Sequence, residues 1–163
     1  MKNMFNVELY AGSRTENYEL VKKQLDALLH GEKNRIANLS NASALLNQFF
    51  DRINWVGFYL MDDNDELVLG PFQGLPACIR IPLGKGVCGT SAQLKKTVRV
   101  LDVNQFPGHI ACDAASQSEI VIPIIKDGQL LGVLDIDSPE TNRFDELDQT
   151  NLEEFVEVLV KHL

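Results

Sequence analysis

The chain has 163 residues, 45% of them hydrophobic and 23% charged, a composition typical of a globular domain with one core and not of a disordered chain. Its 15 basic and 23 acidic residues give a formal net charge of −8, which argues against the basic surface that nucleic-acid binding requires. No apolar run approaches the roughly 20 residues of a membrane-spanning helix. Residues 1–20 lack the apolar segment of a secretory signal, so we expect a cytoplasmic protein without a membrane partner.

The order of the predicted elements indicates an α+β fold. Helical spacing of apolar residues predicts a helical N-terminal part over about 15–50, and period-two alternation predicts a sheet-and-pocket region over about 54–137. A C-terminal amphipathic helix is predicted over about 145–163. We therefore expect a single domain, 1–163, in which a mainly antiparallel central sheet carries the terminal helices on one face and a ligand pocket under loops on the other. The exposed side of the terminal helices leaves room for a homodimer contact.

One strand and one loop are the predicted walls of the pocket. Alternation over residues 54–61 places Trp55 and Tyr59 on one strand face and an aliphatic set on the other. If the aliphatic face packs on the helices, the two aromatic side chains line the space beyond the sheet. Residues 102–118, called the lid below, have no hydrophobic period, and such a segment in a compact domain is typically functional.

The three cysteines all lie between positions 78 and 112, in polar and loop-like sequence. An odd number in a cytosolic chain does not suggest a structural disulfide framework, and this clustering favours redox chemistry over buried, inert thiols. Cys88 is expected just inside the start of a short helix, where free N–H groups and the helix dipole favour a thiolate. The preceding turn, Gly84–Gly86, is expected to offer backbone donors to a small anion such as a carboxylate.

A zinc site is a competing interpretation of the same residues. His109 and Cys112 have an HxxC spacing, and Cys78 and Cys88 would complete a set of four ligands. However, the cysteine spacings match no common zinc pattern and the chain contains no CxxC motif. The redox interpretation therefore takes precedence.

Three acidic residues stand in or at the ends of otherwise apolar strands. Alternation puts Asp135 and Asp137 on one strand face, and Glu119 opens the neighbouring strand. A three-residue loop, 126–128, with Gly128 in the left-handed conformation, would place Glu119 opposite Asp135. All three carboxyl groups would then share a face, raise one another's pKa and keep one group protonated as an acid near neutral pH.

The stretch from Pro71 to Pro123 closely resembles the free methionine-(R)-sulfoxide reductases, which are GAF-domain enzymes acting on the amino acid itself. Its specific part is the combination of GKGVCG at 84–89 with PGHIACDA at 107–114, because GAF domains in general share only an LGVLDI-like strand. The match extends to NWVGFY at 54–59, LGVLDIDS at 131–138 and NRFD at 142–145.

The resemblance implies a GAF fold, reduction of free methionine (R)-sulfoxide, thioredoxin as the source of reducing equivalents, and no metal or other cofactor. It also implies roles for the thiols. Cys112 would be the nucleophile and Cys78 the resolving thiol, and the two would form a disulfide during turnover. Cys88 would be a supporting or alternative redox thiol, whereas the helix-terminus argument favours Cys88 as the most acidic of the three.

The resemblance also assigns the remaining site residues. Glu119, Asp135 and Asp137 would bind the substrate ammonium and supply the acid. Trp55 and Tyr59 would pack on the thioether side chain. Two other function classes stay open on the sequence: a non-catalytic small-molecule sensor, as many GAF domains are, and a cysteine redox switch with no small substrate.

Overall fold

A computed structural model of the protein describes residues 10–110 and 112–163. Residues 1–9 of the expected 1–163 domain lie outside the described residues. Within the described ranges, no helix combines the length and the apolar character needed to cross a membrane. The elements are α1 Arg14–Leu29, α2 Arg35–Phe49, β1 Trp55–Met61, β2 Glu66–Gly74, β3 Arg80–Pro82, α3 Gly86–Leu94, β4 Val98–Val100, a 3-10 turn Val103–Gln105, β5 Ser118–Lys126, β6 Gln129–Ser138 and α4 Glu146–Val160.

The strands form one six-stranded antiparallel sheet in the order β3-β2-β1-β6-β5-β4. Alternate side chains of β1, β5 and β6, such as Phe58, Ile122 and Leu134, pack against α1, α2 and α4 in one core. The opposite face carries Trp55 and Tyr59 and packs against α3 and the loops in a second core. The predicted α+β architecture, with the terminal helices on one face, is therefore confirmed.

The terminal helices begin at side-chain caps. The Ser13 hydroxyl accepts a hydrogen bond from the Glu16 backbone N–H, and Asp145 and Asp148 form a reciprocal capping box at the start of α4. Asp148 also accepts a 2.6 Å hydrogen bond from the buried Tyr18 hydroxyl, which joins α4 to α1. The last bond therefore links two helices of the layer that covers the sheet face away from the site.

The turn between β5 and β6 differs from the prediction. Lys126 pairs directly with Gln129, so the turn has two residues, Asp127 and Gly128, with φ of 52° and 78°. Positive φ at both central residues is what a type I′ hairpin turn requires, and Asp-Gly is among its preferred sequences. The predicted three-residue loop is therefore wrong.

A bulge in β6 nevertheless places the three carboxyl groups on one face of the sheet. Leu131 is skipped in the pairing, so the register of β6 shifts by one residue beyond the turn. Glu119 consequently lies opposite Asp137, and Val121 lies opposite Asp135. The three carboxyl groups share one face, as predicted, although the partner across from Glu119 is Asp137.

Candidate active site

The lid is tied to the connection between β2 and β3 by a disulfide between Cys78 and Cys112, whose Cα atoms are 5.5 Å apart. Both cysteines are half-buried. The bond confirms the pairing that the family resemblance implied. It also takes two of the four thiol and imidazole ligands out of the alternative zinc set, because a disulfide sulfur is not a thiolate ligand.

Glu119, Asp135 and Asp137 form a buried carboxyl cluster on the pocket face of the sheet. Glu119 is 6% and Asp135 5% exposed, and Asp137 is half-buried. Burial raises the pKa of each carboxyl group, and the negative charge of its neighbours raises it further. The Oδ1 atom of Asp135 is buried and has no hydrogen-bond partner among the described residues. A donor from a ligand would satisfy it.

Cys88 is the third residue of α3 and lies directly on this cluster. Its Sγ atom is 4.0 Å from Oε2 of Glu119, and the residue is only 4% exposed. Burial, and then the carboxylates of Asp135 and Glu119, raise the pKa of the Cys88 thiol. The expectation that the helix start makes Cys88 a thiolate is therefore wrong, because desolvation and like charge outweigh a dipole effect of about 0.3–1 kcal/mol.

Cys88, Glu119 and Asp135 also have the geometry of a three-ligand metal cluster. Their ligand atoms all lie within 4.8 Å of one another. However, metal ligands must be deprotonated, and all three groups have pKa values raised by burial. The cluster is better suited to holding and transferring protons.

Trp55 and Tyr59 form the wall predicted from β1, and both also fix the segment that carries Cys78. Their rings stack with centroids 5.8 Å apart. Trp55 Nε1 donates a hydrogen bond to the Leu75 carbonyl (3.2 Å), and the Tyr59 hydroxyl donates one to the Cys78 carbonyl (2.9 Å). Burial raises the pKa of Tyr59 beyond the physiological range, so its hydroxyl remains a donor.

The N-terminus of α3 opens onto the same space. Gly84 and Gly86 have φ of +81° and +60°, which glycine adopts without strain, and Lys85 makes no side-chain capping bond. The first N–H groups of a helix have no intrahelical acceptor, so those of Gly86, Val87 and Cys88 are available to an anion in the cavity. The lid comes close at this point, since a Cβ atom on Gly86 would lie 3.1 Å from the Ile110 side chain.

The molecule resembles proteins of known class along most of its length. A family model described as GAF domain matches residues 40–160. The free methionine-R-sulfoxide reductase of Escherichia coli is 50% identical over 151 residues, which cover 93% of this chain and 91% of that protein. The chain belongs to the free methionine-R-sulfoxide reductase family of GAF domains.

Solved structures support this membership. The reduced form of fRMsr of Staphylococcus aureus is 58% identical, with a TM-score of 0.88, and the match covers 90% of this chain and 95% of that one. The free methionine-R-sulfoxide reductase of Neisseria meningitidis, in complex with its substrate, is 44% identical, with a TM-score of 0.93 and coverage of 98% and 95%.

The structure brings all the predicted site residues of this family member together. Cys78 reaches the site through its disulfide, and the other seven line one cavity: Trp55, Tyr59, Cys88, Cys112, Glu119, Asp135 and Asp137. With the disulfide closed, the cavity has a volume of about 40 Å³.

Sequence reasoning missed one residue that holds the lid and one lid residue that lies beside the carboxyl cluster. His109, considered only as a zinc ligand, has its Nε2 atom 3.7 Å from Oε1 of Glu119, and burial lowers the pKa of its imidazole. Asn54 donates from Nδ2 to Asp113 (2.9 Å) and to Ser116 (3.1 Å), which fastens the far end of the lid to the start of β1. The motifs that carry the family resemblance contain Asn54, His109 and Asp113. That membership was the signal in the sequence that could have identified these residues.

Proposed function

We propose that this protein reduces free methionine (R)-sulfoxide to methionine by thiol chemistry in the cavity under the lid. The observation that carries the proposal is the Cys78–Cys112 disulfide standing at the edge of a cavity floored by buried carboxyl groups. A thiol pair supplies two electrons, and carboxyl groups with raised pKa values supply the proton that sulfoxide reduction consumes. The names of the relatives from Escherichia coli and Neisseria meningitidis support the same activity.

Cys112 is the proposed nucleophile. Its thiolate attacks the sulfoxide sulfur while a protonated carboxyl group of the Glu119–Asp135–Asp137 cluster donates to the sulfoxide oxygen. The sulfur–oxygen bond of the substrate breaks and that of a Cys112 sulfenic acid forms. The substrate sulfur gains two electrons, the Cys112 sulfur loses two, and methionine leaves.

Cys78 is the proposed resolving thiol. Its thiolate attacks the sulfur of the Cys112 sulfenic acid, the hydroxyl group takes up the proton that the Cys78 thiol released and leaves as water, and the disulfide forms. A dithiol protein of the thioredoxin class then reduces the disulfide by two exchange steps and is itself oxidised to a disulfide. No metal or other cofactor is needed for this electron balance.

Cys88 is proposed as a supporting thiol. Because it is buried and its pKa is raised, Cys88 is a poorer nucleophile than the half-buried Cys112. Its Sγ atom, close to Glu119 and Asp135, helps to set the polarity of the carboxyl cluster. An intact Cys88 is therefore expected to tune proton donation more than electron transfer.

The cavity has complementary partners for each part of a free amino acid. The substrate ammonium pairs with the carboxyl cluster, including the unpaired Oδ1 of Asp135. The substrate carboxylate lies at the N–H groups that begin α3, and Trp55 and Tyr59 flank the thioether. Selectivity for the free amino acid follows, because either charge would be costly to bury without its partner.

A sensor or a redox switch would use the same cavity or the same disulfide without turnover. The test is therefore the loss of free methionine sulfoxide coupled to NADPH oxidation through thioredoxin and its reductase, run on each epimer at sulfur. We expect turnover of the R epimer alone, in a cytoplasmic setting where thioredoxin is reduced. Ligand binding without NADPH consumption would favour the sensor, and disulfide exchange without methionine release would favour the switch.

A further inference from the structure

Two large aliphatic side chains stand exposed on either side of Cys78. Leu75 is 64% exposed and Ile79 is 67% exposed, and on the lid side of the disulfide Ile110 is 37% exposed. Single exposed aliphatic residues are ordinary on protein surfaces. Here Leu75 and Ile79 lie within three positions of Cys78, and Ile110 lies two positions before Cys112, its disulfide partner. Exposed aliphatic side chains gathered at one disulfide are consistent with a contact surface.

The backbone presents these side chains in fixed positions. The Leu75 carbonyl accepts from Trp55 Nε1, and the Ile79 carbonyl accepts from the Leu69 N–H at 2.9 Å. The segment is therefore held at both ends by hydrogen bonds that do not involve its aliphatic side chains. An incoming protein would meet a preformed apolar rim.

Charge also favours an approach to the disulfide from the side of Leu75 and Ile79. The protein carries a net charge of −8, and the cavity side of the disulfide faces Glu119, Asp135 and Asp137. By contrast, residues 70–79 contain no charged side chain. A reductant thiolate that approaches over residues 70–79 therefore meets no charged side chain of that segment.

We propose that Leu75 and Ile79, continued by Ile110, form the docking surface for a protein dithiol reductant with an apolar rim around its own reactive cysteine. This inference rests on the proposed function only in taking the Cys78–Cys112 disulfide as one that turnover forms. A thiolate of the reductant attacks one sulfur of the disulfide and releases the other as a thiolate. The second thiol of the reductant then breaks the mixed disulfide, leaving the reductant oxidised and both cysteines of this protein reduced.

The test measures reduction of the disulfide without any methionine sulfoxide. Oxidised wild type, the double variant Leu75→Ser/Ile79→Ser, and the control Ile36→Ser are each mixed with reduced thioredoxin or with dithiothreitol. Ile36, on α2, is 69% exposed and far from both cysteines in the chain. Samples are quenched by alkylation at timed intervals, and free thiols are counted by mass spectrometry.

The double variant should lose roughly ten- to a hundredfold in the rate constant with thioredoxin, because two aliphatic side chains no longer become buried in the encounter. Its rate with dithiothreitol should equal that of the wild type, and Ile36→Ser should match the wild type with both reductants. An unchanged rate with thioredoxin would overturn the proposal. So would equal losses with both reductants, which would mean that the substitutions disturb the disulfide itself.

Two further outcomes distinguish the docking surface from a dimer interface and from the proposed function. If the apolar rim instead joins two copies of this chain, the double variant would change the sedimentation coefficient and leave the thioredoxin rate intact, and the docking proposal would fail. If thioredoxin reduces the wild type readily and yet the protein releases no methionine from the sulfoxide, the proposed function fails. The docking surface is then still tested by the rate constants of disulfide reduction.

Discussion

Replacing Asp135 by Asn is expected to stabilise the fold and to impair substrate binding. Asp135 is 5% exposed, its Oδ1 atom has no partner among the described residues, and Glu119 lies beside it. Asn keeps the side-chain oxygen, so the gain comes from removing a buried carboxyl group that becomes charged as the pH rises, and each tenfold change in the proton affinity of such a group corresponds to about 1.4 kcal/mol. Asn has nearly the same shape and carries no charge, and its amide can donate to Glu119. We expect the variant to gain about 1 kcal/mol or more, which raises Tm by about 2–4 °C per kcal/mol in a protein of this size.

The gain should depend on pH in a defined direction. Burial and the neighbouring Glu119 raise the pKa of Asp135 in the folded state above that in the unfolded chain. Between the two pKa values the folded state binds more protons, so wild-type stability falls as the pH rises through that window. The Asn variant lacks this contribution. Its advantage should therefore be small near pH 4 and should grow as the pH rises toward neutrality and above.

Scanning calorimetry of the oxidised proteins between pH 4 and 8 measures both quantities. The exposed Asp63→Asn serves as the matched control and should show neither the gain nor its pH dependence. Binding of methionine sulfoxide to the reduced variant should weaken roughly 10- to 100-fold, because a charge-assisted hydrogen bond to the ammonium is lost. A variant that is less stable than wild type at pH 8 would refute the reasoning on the buried carboxyl cluster. A Tm that differs from that of the wild type by the same amount at every pH would refute it as well.

Two other predictions concern the walls of the cavity and the substrate. Tyr59→Phe removes the 2.9 Å hydrogen bond to the Cys78 carbonyl and should cost the oxidised protein about 0.5–1.5 kcal/mol in urea unfolding; an unchanged midpoint would mean that this bond does not hold the segment. N-acetylated methionine sulfoxide, offered in the coupled assay, should not be reduced, because it lacks the ammonium that pairs with the carboxyl cluster. Activity comparable to that on the free amino acid would contradict the role given to Glu119, Asp135 and Asp137.

Much of the fold is predictable because hydrophobic periodicity is local. Alternation along β1 separated Phe58 from Tyr59 correctly, and each lies in the core expected for its face. The β5–β6 connection was not predicted correctly. The Asp127-Gly128 pair signals a two-residue turn. The additional residue is accommodated at Leu131, four positions before Asp135, in a bulge that the alternation of the sequence does not signal.

Most of the predicted residues line the cavity, whereas their electrostatics could not be predicted. The position of Cys88 at the start of a helix is visible in the sequence, but its burial against Glu119 results from packing between α3 and the sheet. Desolvation then reverses the sign of the expected pKa shift. His109 was likewise visible as a lid residue, whereas its approach to Glu119 depends on where the disulfide draws the lid.

The central claim is that Cys112 takes the oxygen and Cys78 resolves the product, and single-turnover release of methionine tests it most directly. Fully reduced variants are mixed with excess free methionine (R)-sulfoxide without a reductant, and methionine is counted per protein chain. Cys112→Ser should release none. Cys78→Ser should release about one equivalent and hold a sulfenic acid that a dimedone probe labels, and Cys88→Ser should keep its burst. Loss of the burst in Cys88→Ser together with a full burst in Cys112→Ser would contradict the assignment and exchange the roles of these two thiols.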